Sequence, residues 1–305
     1  MSILEGVDLR VRSREGAPLL AGVDLRVQAG EVLFLLGPSG AGKSLTLLAL
    51  AGLLPPSLSF RGKVFFKGRN VAALPPKARR RLLGKEIGLV LQEPGLALDP
   101  VVPVGKQVGE ALRVHYGLSR KEALVSAEAA LAQEGLRPAS ELARCYAHAL
   151  SGGMRQRVLL AQVFSLAPDL LLLDEAAGAL DLLRRADLAW RVAREVRERG
   201  ISVLWVSHDL RLARALAGRV ALMGLGKVLE AGPAREVLDR PLHPFGRWFL
   251  GKGGSLGAGS GRNWEGEGCP WRECCPRAGK RCRMTPTPTR NSRGREVLCW
   301  NPWGT

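Results

Sequence analysis

Residues 37–44 read GPSGAGKS, match G-x-x-x-x-G-K-[ST], and follow five apolar residues, VLFLL, at 32–36. That order reads as a buried parallel strand feeding a tight turn, with a helix opening near Lys43. Gly37, Gly40 and Gly42 keep Cβ atoms out of the turn, so successive backbone N–H groups can point inward at an anion. Pro38, Ser39 and Ala41 complete the loop. Lys43 sets a cation on the β and γ phosphates, Ser44 offers a hydroxyl to Mg²⁺, and the positive end of the helix faces the same charge. The stretch predicts a nucleoside triphosphate with Mg²⁺, and by itself no particular reaction.

Two further stretches bear on that ligand. Four leucines at 170–173 read as a buried strand that ends in Asp174 and Glu175. Opposite a phosphate loop, Asp174 would hold Mg²⁺ through its water shell, and Glu175 would orient and deprotonate an attacking water. Read alone, such a pair equally well caps the next helix. Before it stands LSGGMRQRV at 150–158. Ser151, Gly152 and Gly153 at a helix start make a second anion site, which a phosphate-loop protein does not need for its own nucleotide.

At 305 residues the chain can hold one large α/β domain and a smaller appendage. GVDLRV occurs at 6–11 and again at 22–27, and its alternation of apolar and charged residues predicts two strands of a small antiparallel sheet. Residues 62–68 and 87–91 add two more candidate strands. From about residue 94 to 150 the pattern is helical, with a capping box at Ser119 and Glu122 opening a helix to about Glu134, and another helix at 106–116. A helix from 151 to about 166, a charged helix ending at Arg199 with Ala189, Val192, Ala193 and Val196 on one face, and a buried strand at 201–206 complete the alternation. Strands alternating with helices predict a parallel sheet covered on both faces.

No run approaches the roughly 20 apolar residues of a membrane span, and no signal segment is visible, so a cytosolic chain is expected. The net charge is +17, with 35 Arg and ten Lys. Without a compact basic-aromatic motif this reads as solvated surface, and no direct nucleic-acid partner is expected. The run Lys77, Arg79, Arg80, Arg81 is read the same way. Residues 251–268 are linker-like in composition. Residues 269–305 crowd five of the six cysteines, and so small a tail needs a metal or a partner surface to stay folded.

LSGGMRQ resembles the signature of the ABC-transporter ATPases, and the family's other marks follow in order: Gln92 after a strand, Asp181 in GALD, His208 in VSHD. The resemblance covers nearly the whole chain. It implies a P-loop ATPase fold at 1–250, with a RecA-like parallel core, an N-terminal antiparallel β subdomain, an inserted helical subdomain at about 94–150 and a cysteine-rich C-terminal extension. It assigns Glu175, His208 and Gln92 to catalysis, with His208 sensing the γ-phosphate. Ser44, Gln92 and Asp174 are assigned to Mg²⁺, and Asp181 to the loop after the acidic pair. Ser151, Gly152, Gly153 and Gln156 would act on ATP held by an opposing subunit, so hydrolysis requires a head-to-tail dimer.

Three stretches, VLQEPGLALDP at 90–100, VGKQVGEAL at 104–112 and PLHPFGRWFL at 241–250, look like the dipeptide, oligopeptide and nickel importer branch. That likeness implies an ATPase at the cytoplasmic face of the membrane, paired with a second, different ATPase subunit. Two permease subunits and, indirectly, a solute-binding protein complete the assembly. A soluble ABC ATPase acting on the ribosome or nucleic acid is the alternative. The tail resembles the branch's terminal cysteine box, which implies an iron-sulfur cluster on Cys269, Cys275, Cys282 and Cys299, with zinc as the other thiolate metal. Two departures stand out. Ala176, Ala177 and Gly178 replace the usual Pro-Thr or Pro-Ser after Glu175, and no aromatic residue precedes Phe34 to stack on adenine.

Overall fold

The two GVDLRV copies lie side by side as antiparallel strands, with Leu9 and Val11 of the first copy fully buried and Arg10 and Arg12 exposed. The pairing is broken at Asp8, whose φ of 47° marks a bulge pinned by its N–H donating to Asp24 Oδ1 at 2.8 Å. In this computed structural model the described residues are 1–91, 97–178, 180–252, 269, 271–272, 275, 277–284, 289–292, 294–299 and 302.

In chain order the strands are β1 (Ser2–Arg12), β2 (Pro18–Gln28), β3 (Val32–Leu36), β4 (Ser59–Phe66), β5 (Arg69–Asn70) and β6 (Ile87–Val90), then β7 (Leu170–Asp174), β8 (Ser202–Ser207), β9 (Arg219–Gly224), β10 (Lys227–Pro233), β11 (Thr289–Ser292) and β12 (Arg295–Leu298). The helices are α1 (Lys43–Ala51), α2 (Pro76–Lys85), α3 (Val104–Tyr116), α4 (Arg120–Gln133), α5 (Ala139–Leu142) and α6 (Gly152–Ser165), then α7 (Leu182–Arg199), α8 (Leu210–Leu216), α9 (Ala234–Asp239), α10 (Pro244–Phe249) and α11 (Lys280–Met284). They fall into two units, Met1–Ala72 with Val206–Thr305, and Ala73–Trp205.

The first unit holds an antiparallel sheet in the order β2-β1-β4-β5, and a run of strands in the order β11-β12-β10-β9-β3. Only β3 and β9 in that run are parallel. All five residues of β3 are buried, as an apolar strand covered on both faces requires.

The tail belongs to this unit. Its hairpin β11–β12 pairs with β10, Val297 opposite Glu230. The surface that holds the tail is thus an edge of the chain's own sheet. Arg295 Nη1 donates to Glu230 Oε1 at 3.1 Å and to the carbonyls of Glu236 and Arg240 at 3.1 and 2.7 Å. Glu230 also accepts the N–H groups of Leu242 and His243 at 2.9 and 2.8 Å. Burial pushes the Glu230 carboxyl above the usual carboxylate range, with these donors and Arg295 pulling the other way. Val297 and Cys299 pack on Leu242, and the Phe245 ring lies 4.8 Å from that of Trp271.

The second unit pairs β6 and β7 in parallel, Ile87 opposite Leu170, with Leu170 to Asp174 all buried. Helices α3, α4 and α6 enclose a core that includes Val104, Val108, Leu131, Val158 and Leu159. The predicted capping box is present at the start of α4: Ser119 Oγ accepts from Glu122 N, and Glu122 Oε2 accepts from Ser119 N. Helix α3 begins at Val104, two residues before the expected start, behind Pro103, whose fixed φ suits a helix entry. On α7 the expected apolar face is only partly buried. Leu188 and Val192 lie inside, Ala189, Ala193 and Val196 are half-buried, and Glu195 is buried with Arg199 Nη1 at 2.7 Å.

Candidate nucleotide site

Strand β3 delivers the chain to the phosphate loop in the first unit. A Cβ on Gly37 would stand 2.2 Å from the Met223 carbonyl oxygen on β9, so no other residue fits there without moving backbone. Gly40 and Gly42 take φ of 77° and 97°, which L side chains rarely adopt. Ala41 N donates to Pro38 O at 3.2 Å, and Gly226 N donates to Ala41 O at 2.9 Å, anchoring the loop on the β9–β10 turn. Thr46 then bonds back to the Gly42 carbonyl through both N and Oγ1, which seats the first turn of α1.

Lys43 is 7% exposed, and its Nζ donates to the carbonyls of Gly37 and Pro38 at 2.8 and 2.9 Å, so the ammonium is folded over the loop. Ser39 and Gly40 are exposed, and Ser44 is half-buried. A cation, a hydroxyl and the start of a nine-residue helix converge on one turn. That donor set contains no carboxylate and fits a phosphate chain with its metal ion. In the same unit His208 is exposed directly after β8, and Asp209 caps α8 by accepting from Arg211 N and Leu212 N at 2.9 and 3.0 Å.

The second unit carries the acidic pair and the signature. Asp174 ends β7 and is 3% exposed. Glu175, half-buried, takes a φ of 46°, and a turn holds it there: Gly178 N donates to Glu175 O at 2.7 Å. A non-glycine residue in the left-handed region is held by its surroundings at a local cost. Ala176 and Ala177, which follow Glu175, are both buried. The alanines that replace the expected proline thus pack inward. Asp181 Oδ1 accepts from Arg184 N at 2.9 Å and caps α7.

Ser151 is exposed and caps α6, its Oγ accepting from Met154 N at 3.3 Å; Gly152 and Gly153 are half-buried in the first turn. Gln156 is 1% exposed, and its Nε2 has no hydrogen-bond partner among the described residues. The helical period turns it toward the inside, away from the exposed helix start that the signature motif shares with it. Gln92 lies outside the described residues. So does Cys274. Among the described residues no group of three or more His, Cys, Asp or Glu is gathered to hold a metal. Cys269, Cys282 and Cys299 are buried, Cys275 is half-buried, and Cys269 N donates to Cys282 O at 2.8 Å. Among the described residues no helix is long and apolar enough to cross a membrane.

The family profile described as ABC transporter matches residues 20–178. A dipeptide transport ATP-binding protein of Bacillus subtilis is 34% identical over 89% of this chain and 85% of its own length. An oligopeptide transport ATP-binding protein of Salmonella typhimurium is 33% identical over 90% and 85%. A Brucella melitensis protein named for peptide import and ATP binding is 40% identical over 71% of this chain, which spans 66% of that relative's length. Among solved structures, the ATP-binding cassette MJ0796, in a dimeric post-hydrolysis state bound to ADP and Pi, superposes with a TM-score of 0.69. It is 25% identical and covers 76% of this chain and 99% of its own.

Proposed function

This chain belongs to the ABC transporter family, and on that premise we propose that it is the ATP-binding and ATP-hydrolysing subunit of an importer for peptides or related small solutes. The observation that carries this reading is that relatives named for dipeptide and oligopeptide transport align along 89% and 90% of the chain, well past the residues that the family profile matches. The same alignments speak against a ribosome or nucleic-acid ATPase. In this reading the chain sits peripherally on the cytoplasmic face of the membrane, bound to two permease subunits.

The residues divide the work. The loop 37–44 binds the triphosphate, with Lys43 on the β and γ phosphates. Glu175 orients the attacking water and takes its proton, and His208 contacts the γ-phosphate. Ser44, Asp174 and Gln92 would hold Mg²⁺, which neutralises phosphate charge when bound. Ser151 and the first turn of α6 face the nucleotide of a second ATPase subunit, so the active unit is a dimer, and a heterodimer in this branch. The dimeric MJ0796 cassette supports the dimer.

The test is copurification of the chain with its permease subunits, followed by ATPase measurements with candidate solutes and their binding protein. Stimulation by peptides supports the reading. A chain that never associates with permease subunits, and whose ATPase responds to ribosomes or nucleic acid, contradicts it.

For the tail, we propose a thiolate-held metal on Cys269, Cys275, Cys282 and Cys299, an iron-sulfur cluster before zinc. Three of these cysteines are buried and Cys269 N donates to Cys282 O, but among the described residues the four thiols are not gathered, so the site would have to close on its metal. Its role would be structural or redox-sensing rather than hydrolytic, because the nucleotide site is complete without it. Anaerobic purification with metal analysis and visible spectroscopy tests it. Bound iron with thiolate charge-transfer colour is the expected result, colourless stoichiometric zinc replaces the cluster, and metal-free protein ends the proposal.

A further inference from the structure

In the second unit the end of α4 and the faces of α6 and α7 enclose a cavity of about 640 Å³ that contains none of the residues assigned to ATP. That size is typical of small-molecule sites. Its lining is unusually cationic, with five arginines against two carboxylates, Glu134 and Asp187. Glu134 is paired with Arg191, Asp187 Oδ2 lies 3.2 Å from Arg184 Nη1, and Arg194 lies 3.9 and 4.0 Å from Glu195 and Glu198, which leaves Arg137 and Arg157 as the lining arginines without a carboxylate partner among the described residues.

Two of the cations converge. The point where a Cβ on Gly135 would stand has Arg184 Nη1 at 3.3 Å and Arg157 Nη1 at 3.7 Å. Gly135, with φ of 69°, carries no side chain to screen these two guanidinium groups from each other there. Arg157 gives its Nη1 protons to neutral carbonyls, Gly135 O at 3.1 Å and Glu134 O at 3.4 Å, and its Nε to Gly153 O at 3.4 Å. Burial, followed by the nearby Arg184 charge, lowers the Arg157 pKa, with Asp181 and Glu134 opposing. Two like charges are therefore held together at a cost that a bound anion would relieve.

We infer that this cavity binds a small anion carrying two or more phosphate groups, held between Arg157 and Arg184 with Arg137 on the same wall. A carboxylate has two oxygens, and one guanidinium fork satisfies both. Two neighbouring guanidinium groups, each with N–H donors beyond the bonds just named, suit the three terminal oxygens of a phosphate, with Arg137 on the same wall for the next group. The anion is either an inorganic polyphosphate or the phosphate end of a nucleotide. Trp190, 62% exposed on the cavity wall with the Arg194 guanidinium 5.0 Å from its ring centroid, offers a face for a base only to the second. The inference is independent of the import reading.

The test is calorimetry on the full chain with its phosphate loop first saturated by a non-hydrolysable ATP analogue and Mg²⁺. Pyrophosphate, tripolyphosphate and GDP are then titrated in turn. One further site per chain is expected, weakened about tenfold or more in Arg184→Ala and again in Arg137→Ala, two variants that remove one charge-assisted partner each. Unchanged affinity for the ATP analogue shows that both variants fold. Arg80→Ala, which removes an exposed charge on α2, leaves the site intact. GDP binding more tightly than pyrophosphate, with the advantage lost in Trp190→Ala, assigns a nucleotide; equal binding assigns inorganic phosphate, and both support the site. Absence of a second site at millimolar ligand overturns the inference. So does binding indifferent to Arg184 and Arg137, or weakened equally by Arg80→Ala.

Discussion

Arg295 and Glu230, 65 residues apart in the chain, meet at 3.1 Å with side chains 4% and 0% exposed. This pair ties the tail hairpin to β10, and it is the centre of a network that also takes in the backbone of Leu242, His243, Glu236 and Arg240. A buried ion pair contributes little over apolar residues of equal volume, but removing one partner strands the other in a site without water.

Arg295→Met should therefore cost about 3–5 kcal/mol of the first unit's stability, read by urea denaturation. The double change Glu230→Gln with Arg295→Met should recover part of that loss, because no charge is then left buried. A single variant as stable as the wild type would show that the tail is held by something else.

His243 adds an acid sensitivity. It is 1% exposed, its Nδ1 accepts from Phe245 N at 3.0 Å, and burial drops its pKa from 6.5 to about 3. The unfolded chain thus binds a proton that the folded chain refuses between those two values. Stability from this group is complete above pH 6.5 and falls as pH drops toward 3, by about 1.4 kcal/mol per pH unit. Glu230 works in the opposite sense, since its raised pKa makes the folded state take up a proton first. His243→Asn keeps a capping acceptor and does not titrate, so its loss of stability between pH 6 and 4 should be shallower than the wild type's. Parallel curves would place the titrating group elsewhere.

The missing aromatic before Phe34 leaves the base without a stacking partner at the expected position. Base–aromatic stacking is worth about 1–3 kcal/mol in nucleic-acid complexes. ATP and GTP should compete for the loop within about tenfold of each other in equilibrium binding. An ATP preference above about a hundredfold would mean that another side chain reads adenine.

Much of the fold and part of the site were legible from short stretches, because their chemistry is local. VLFLL followed by GPSGAGKS specifies a buried strand, a glycine turn and a helix within a dozen residues, and Ser119 with Glu122 specifies a cap in four. The rest depends on partners far away in the chain. Nothing around Arg295 says that it is buried, because that follows from β12 pairing with β10 and meeting Glu230. Strands β9 and β10, RVALMG and KVLEAGP, carry no motif and mix charged, glycine and proline residues with apolar ones, so they do not stand out. Gln156 reads with Ser151 as one exposed motif, yet the helix turns it inward. The left-handed backbone of Glu175 has no sequence signal either, since it sits in the turn closed by Gly178. The cavity beside Gly135 was missed because its arginines, at 137, 157 and 184, come from three separate stretches and read singly as surface.

Glu175 is the proposed base for ATP hydrolysis by this chain, and steady-state turnover of Glu175→Gln in the assembled complex is the most direct test of that role. ATP affinity should be kept, turnover at saturating ATP and Mg²⁺ should fall about 10²- to 10⁴-fold, and ATP-bound dimers should accumulate. Hydrolysis at close to the wild-type rate in that variant would contradict it.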